Sequence, residues 1–215
     1  MTSPSHDLEA QADDRLLHRM LFFSDAVFAI VLTLLALELK APSGQTGTDL
    51  ARGLWEMASD FSAFFGSFAL VSVWWMAHAN ALRRVAHFDW PLAGLNLLFL
   101  LTVCLIPFCT SMIAHGGVSG LAWELYCWNQ IFTSGVMVTM SLIITRGAGH
   151  LVGGNVELRE RIYRVLRGAL PGLAFIVSLL ILRFGDPRWA VAATLLIPLE
   201  FLALGHLVRP KAIKP

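Results

Sequence analysis

Arg19 to Lys40 reads RMLFFSDAVFAIVLTLLALELK, and this stretch decides what kind of molecule the chain forms. From Met20 to Leu37 it offers about 18 residues at ~1.5 Å each, roughly 27 Å of helix, which matches the hydrocarbon thickness of a bilayer. Asp25 is the only charge in that run. A carboxylate at membrane depth is costly unless it faces a protein interior or a water path and has a partner, so Asp25 marks a candidate functional site.

The rest of the chain agrees with a membrane reading. Of 215 residues, 56% are hydrophobic and 14% charged, a composition foreign to soluble globular domains. The formal charge of +1, with basic residues scattered among short loops, leaves no footprint for nucleic acid. The first eighteen residues are polar and acidic (Asp7, Glu9, Asp13, Asp14) and lack the basic start and short apolar core of a signal peptide, so the first helix is expected to remain in the mature protein. Cys104, Cys109 and Cys127 are odd in number and lie within or beside apolar segments, which reads as packing, with no metal-ligand spacing.

Hydropathy divides the chain into six expected spans, at roughly 20–40, 61–82, 91–114, 121–145, 165–184 and 189–208. An even count puts both termini on one side. That side carries Arg15, Arg19, Arg83, Arg84, Arg146, Arg159, Arg161, Arg164, Arg167, Arg209, Lys211 and Lys214, twelve of the 16 basic residues; Lys40, Arg52, Arg183 and Arg188 are the other four. The positive-inside rule makes the termini cytoplasmic and the protein a multi-pass component of the cell membrane. The organisation expected is a polar cytoplasmic segment over residues 1–18, a six-helix domain over 19–208 and a basic tail over 209–215.

Several polar features have ordinary readings. Trp55 suits an interfacial anchor and Pro107 a helix kink. Asn129 and Gln130 suit hydrogen bonds between helices, and Gly168 and Gly172 a close helix contact. The basic, glycine-rich loop Arg146–Arg164 suits anionic headgroups. His78, one to two turns inside Arg83 and Arg84, is less ordinary. The chain has no duplicated half, unlike many secondary transporters, and six helices are few to enclose a pore alone, which favours a symmetric oligomer around one repeated helix.

On a helical wheel with Ile30 at the origin, Leu34 falls at about +40°, Leu37 at about −20°, Thr33 at about −60° and Phe23 at about +20°. Asp25 falls near −140° and Ser24 near +120°, directed toward neighbouring helices. The apolar stripe on the other side fits lipid contact or the lining of a narrow pore, and the wheel alone leaves both open.

Arg19-x-x-x-Phe23-Ser24-Asp25 at the start of the first span resembles the Arg-x-x-x-Phe-Ser-Asp motif of the transmembrane protein 175 potassium channel family. Trp75-x-x-His78 and the run Leu95-Asn96-Leu97-Leu98-Phe99-Leu100 with Pro107-Phe108 are similar to further family features, and together these cover about the first half of the chain. The resemblance implies an all-α integral membrane protein that is a homotetramer of six-helix subunits, with helix one of each subunit lining a central pore. Carried over by position, Ile30 is the constriction, Thr33 a polar site beside it and Leu37 the next apolar layer, with Leu34 on the same wheel face. Arg19, Phe23, Ser24, Asp25, Trp75, His78 and Asn96 are the motif and the polar network that holds helix one.

The function so implied is a potassium-selective channel with a hydrophobic constriction in place of a backbone-carbonyl filter; no Thr-Val-Gly-Tyr-Gly segment is present. Potassium would pass near Ile30 and Thr33, and no bound metal or other cofactor is expected. The partners implied are further copies of the chain, lipid and monovalent cations. The alternative is proton or monovalent-cation transport through Asp25 and His78. An enzymatic reading fails on geometry: Ser24 and Asp25 diverge by about 100° on a helix and could not both address one imidazole.

Overall fold

The first helix contains no glycine or proline after Pro4 and is rich in Ala and Leu, residues that lose little on entering a helix. In the computed structural model, which describes residues 4–42, 47–116, 120–146, 151–152 and 157–207, it runs unbroken as α1, Pro4–Leu37. The sequence boundary at residue 18 is therefore no structural break. Leu17, Ser24, Phe28, Val31 and Leu35 form its buried stripe at steps of seven, four, three and four. That stripe packs against α3 (Ala58–Leu82), α4 (Trp90–Cys104) and α5 (Ile106–Gly116).

Between α1 and α3 lies α2 (Thr48–Glu56), a short amphipathic helix with an Arg52–Asp49 pair at 2.6 Å and an exposed Trp55. After α5 come α6 (Leu121–Arg146), α7 (Leu158–Phe184), α8 (Pro187–Leu195) and α9 (Ile197–Leu207). Five helical segments are long and apolar enough to cross a membrane: Gln11–Leu37, Ala58–Leu82, Trp90–Gly116, Leu121–Thr145 and Leu158–Phe184. The sixth expected span differs: its apolar part, Trp189–Leu204, is shorter and is broken between α8 and α9.

One tripeptide explains both helix breaks. Leu105-Ile106-Pro107 separates α4 from α5, and Leu196-Ile197-Pro198 separates α8 from α9. Proline has no N–H for the carbonyl four residues back and its ring crowds that carbonyl, so the helix restarts around it. The kink read at Pro107 is present; the equivalent at Pro198 carries the same signature.

The α6–α7 pair packs closely at two glycines. A Cβ on Gly168 would stand 2.9 Å from Met137 Cγ, and one on Gly172 would run into the Ser134 side chain. Ser134 Oγ donates to the Gly168 carbonyl at 2.6 Å. Asn129 Nδ2 donates to the Thr102 carbonyl at 3.1 Å, and Trp74 Nε1 donates to Gln130 Oε1 at 2.9 Å, tying α6 to α4 and α3. Thr110 Oγ1 donates to Ser67 Oγ at 2.8 Å, which lies 3.1 Å from Tyr126 Oη.

At the end of the bundle that holds the chain terminus of α1, α7 starts earlier than the expected residue 165, and its first turns are charged. Glu160, nearly fully buried, receives Arg164 at 2.8 Å and Arg84 at 3.0 Å. Arg164 Nη1 also donates to the Ala81 carbonyl at 2.7 Å, near the end of α3. Residues 147–150 and 153–156, part of the loop expected to meet headgroups, and the tail 209–215 lie outside the described residues.

Candidate functional site

Ser24 sits in the middle of the buried stripe of α1, fully enclosed, so its hydroxyl requires partners inside the bundle. It donates to the Met20 carbonyl at 2.8 Å and accepts from Asn96 Nδ2 at 2.9 Å. Asn96 is likewise fully buried, and its Oδ1 lies 2.7 Å from His78 Nε2. A carbonyl oxygen has no hydrogen to give, so the histidine must donate and its Nε2 carries the proton. The chain of bonds therefore has one direction: His78 to Asn96 to Ser24 to the backbone of α1. It joins α3, α4 and α1.

Packing fixes the imidazole as firmly as the hydrogen bond does. His78 stacks on Phe99 with centroids 5.3 Å apart and rings 6° from parallel, and Phe28 of α1 lies 5.6 Å away. Beside this core, Trp75 Nε1 donates to Asp25 Oδ1 at 2.9 Å, a second link between α3 and α1 in a more exposed position. A cavity of about 350 Å³ opens from the side of Asp14, His18 and Arg83 and reaches both Asp25 and His78.

The structure thus brings Ser24, Asp25, Trp75, His78 and Asn96 together. Arg19 stands apart: it is exposed and contacts none of them within the subunit. The reason is helical phase, since Arg19 precedes Ile30 by eleven residues, about three turns, and shares its face. The partner of Asp25 is accordingly an indole N–H, from Trp75 of the same expected network. Trp74 was not among the residues singled out in the sequence, yet it is fully buried and bonded to Gln130.

The opposite face of α1 has no cover within the subunit. Phe23, Ile30, Leu34 and Leu37 are 53, 56, 42 and 73% exposed, and Thr33 is exposed with its hydroxyl turned back to the Ile30 carbonyl at 2.7 Å. One helix therefore carries an anchored polar side and a free apolar side.

Comparison with known proteins gives consistent matches. Residues 19–107 match the family model described as endosomal/lysosomal potassium channel TMEM175. The chain is 33% identical to a potassium channel of Streptomyces collinus over 164 residues, covering 71% of this chain and 76% of that one. It is 26% identical over 191 residues to the endosomal/lysosomal proton channel TMEM175 of Rattus norvegicus, covering 83% of this chain and 37% of that longer protein. The crystal structure of a lysosomal potassium-selective channel TMEM175 homolog from Chamaesiphon minutus shares the fold, with a TM-score of 0.65 at 22% identity over 88% of this chain and 97% of that one.

Proposed function

The chain belongs to the TMEM175 family, and from that premise we propose that it is a potassium-selective channel formed by four copies, with α1 of each around a central axis. The observation that carries the reading is the division of α1 into two sides. Ser24 and Asp25 tie one side to α3 and α4, while Ile30, Leu34 and Leu37 leave an apolar stripe free at membrane depth.

Ile30 is the constriction in this reading. Four such side chains around an axis exclude water until the ring widens, so conduction is gated by dewetting. Potassium gives up its hydration shell more readily than sodium, which favours it at a site that strips water. Thr33, one turn further along, supplies hydroxyl oxygens beside the path. The buried His78–Asn96–Ser24 chain sets the rotation of α1 and keeps Ile30 on the axis. In this reading both termini lie in the cytoplasm, which the distribution of basic residues supports.

Reconstitution of the full chain in planar bilayers under a potassium gradient tests this. A current reversing near the potassium potential is expected, and one reversing near zero in opposed potassium and sodium gradients overturns selectivity. Ile30→Asn is expected to enlarge conductance and weaken discrimination; an unchanged current removes Ile30 from the constriction. A proton flux that tracks a pH gradient at zero potassium gradient and survives potassium removal would favour the transport reading through Asp25 and His78.

A further inference from the structure

We propose that the groove between α6 and α7, at the end of the bundle remote from the start of α1, binds one zwitterionic phospholipid, with its phosphate on Arg183 and its ammonium on Glu124. The groove has a volume of about 680 Å³, within the range of small-molecule sites, and Ile176 and Leu180 contribute to its apolar wall. Trp128 and Phe184 border it and are 60 and 82% exposed, as aromatic side chains at a membrane interface commonly are.

Glu124 and Arg183 line this one groove, both are exposed, and neither is in an ion pair among the described residues. Their positions in the first turn of α6 and the last turn of α7 suit the two helix dipoles and account for each charge singly. Those dipole interactions leave both charged heads free toward the same apolar space. An anionic lipid or a free anion would satisfy Arg183 and meet repulsion from Glu124. A headgroup that carries a phosphate and an ammonium satisfies both, while its acyl chain lies along Ile176 and Leu180.

The location suits a lipid. Both groove helices are membrane-length, and α1 packs on α3, α4 and α5 instead. With α1 on the axis, the groove therefore looks outward to the bilayer. That outward placement rests on the pore reading; the chemistry of the groove does not.

Native mass spectrometry of the full chain, released from nanodiscs of mixed phosphatidylethanolamine and phosphatidylglycerol, tests the proposal. One phosphatidylethanolamine retained per chain, about tenfold over phosphatidylglycerol, is expected, and phosphatidylcholine, with the same pair of charges, should compete. Glu124→Gln and Arg183→Gln should each lower retention about tenfold without altering the melting temperature, since both side chains are exposed, and Ile30→Asn should leave retention intact. Equal retention of phosphatidylglycerol, or retention indifferent to both substitutions, overturns the proposal. The readout is bound lipid and not current, so a failed pore reading and a failed lipid site give different results.

Discussion

Asn96 is the residue on which the attachment of α1 turns, because its amide serves His78 and Ser24 at once. Asn96→Leu would remove both bonds and leave the histidine N–H buried without an acceptor, a loss of roughly 2–3 kcal/mol. A clear fall in melting temperature of the detergent-solubilised protein is the expected outcome. Trp75→Phe deletes one bond in a more exposed place and should cost about 1 kcal/mol or less. Its melting curve should stay near that of the parent. These residues were legible in the sequence because a polar side chain in an apolar run must find a partner at membrane depth. The pairing itself was not legible: Asp25 could have met arginine, histidine or tryptophan, and only the relative rotation of α1 and α3 selects Trp75. Arg19 is the converse, since its spacing of eleven residues from Ile30 already sets it on that face, away from Asp25.

At the scale of elements, the glycine contact and the Glu160 cluster both help to hold α7 to the rest. Gly168 and Gly172 let α7 approach α6 until a Cβ would meet Met137 or Ser134. Gly168→Ala should cost about 1–3 kcal/mol by overpacking, because the backbone nitrogen of Val138, 3.3 Å from the added carbon, cannot rotate aside. Glu160→Gln should cost more, roughly 3–5 kcal/mol, since it leaves Arg164 enclosed without its counter-charge. Thermal unfolding of both variants should rank them in that order. The glycine contact was visible as a spacing pattern. The Glu160 cluster was not, because a count of basic residues treats every arginine at a membrane boundary as solvated, whereas Arg84 and Glu160 are brought together by the return of the chain through α4 to α6. The break at Pro198 was readable in principle from its match to Leu105-Ile106-Pro107.

For the whole molecule, the uncovered side of α1 sets the expectations about assembly. Cysteine placed at Ile30 in a background lacking Cys104, Cys109 and Cys127 should cross-link between subunits on oxidation. Cysteine at Val31, only 1% exposed against α1's own neighbours, should not. Equal cross-linking at both positions would place another helix at the axis. Fold class, and five of the expected spans, followed from hydropathy because bilayer thickness imposes a length on each helix. Copy number did not follow, because it depends on a surface whose partner lies outside the single chain. The unbroken course of α1 has a mechanical consequence. Its polar links to Trp75 and Asn96 sit at residues 24 and 25, with a long arm of about 30 Å of helix toward Pro4 and about 18 Å toward Leu37. Beyond that point Phe28, Val31 and Leu35 bind the helix to its neighbours, so a push on the long arm is passed to the packed segment as a turn of one stiff body.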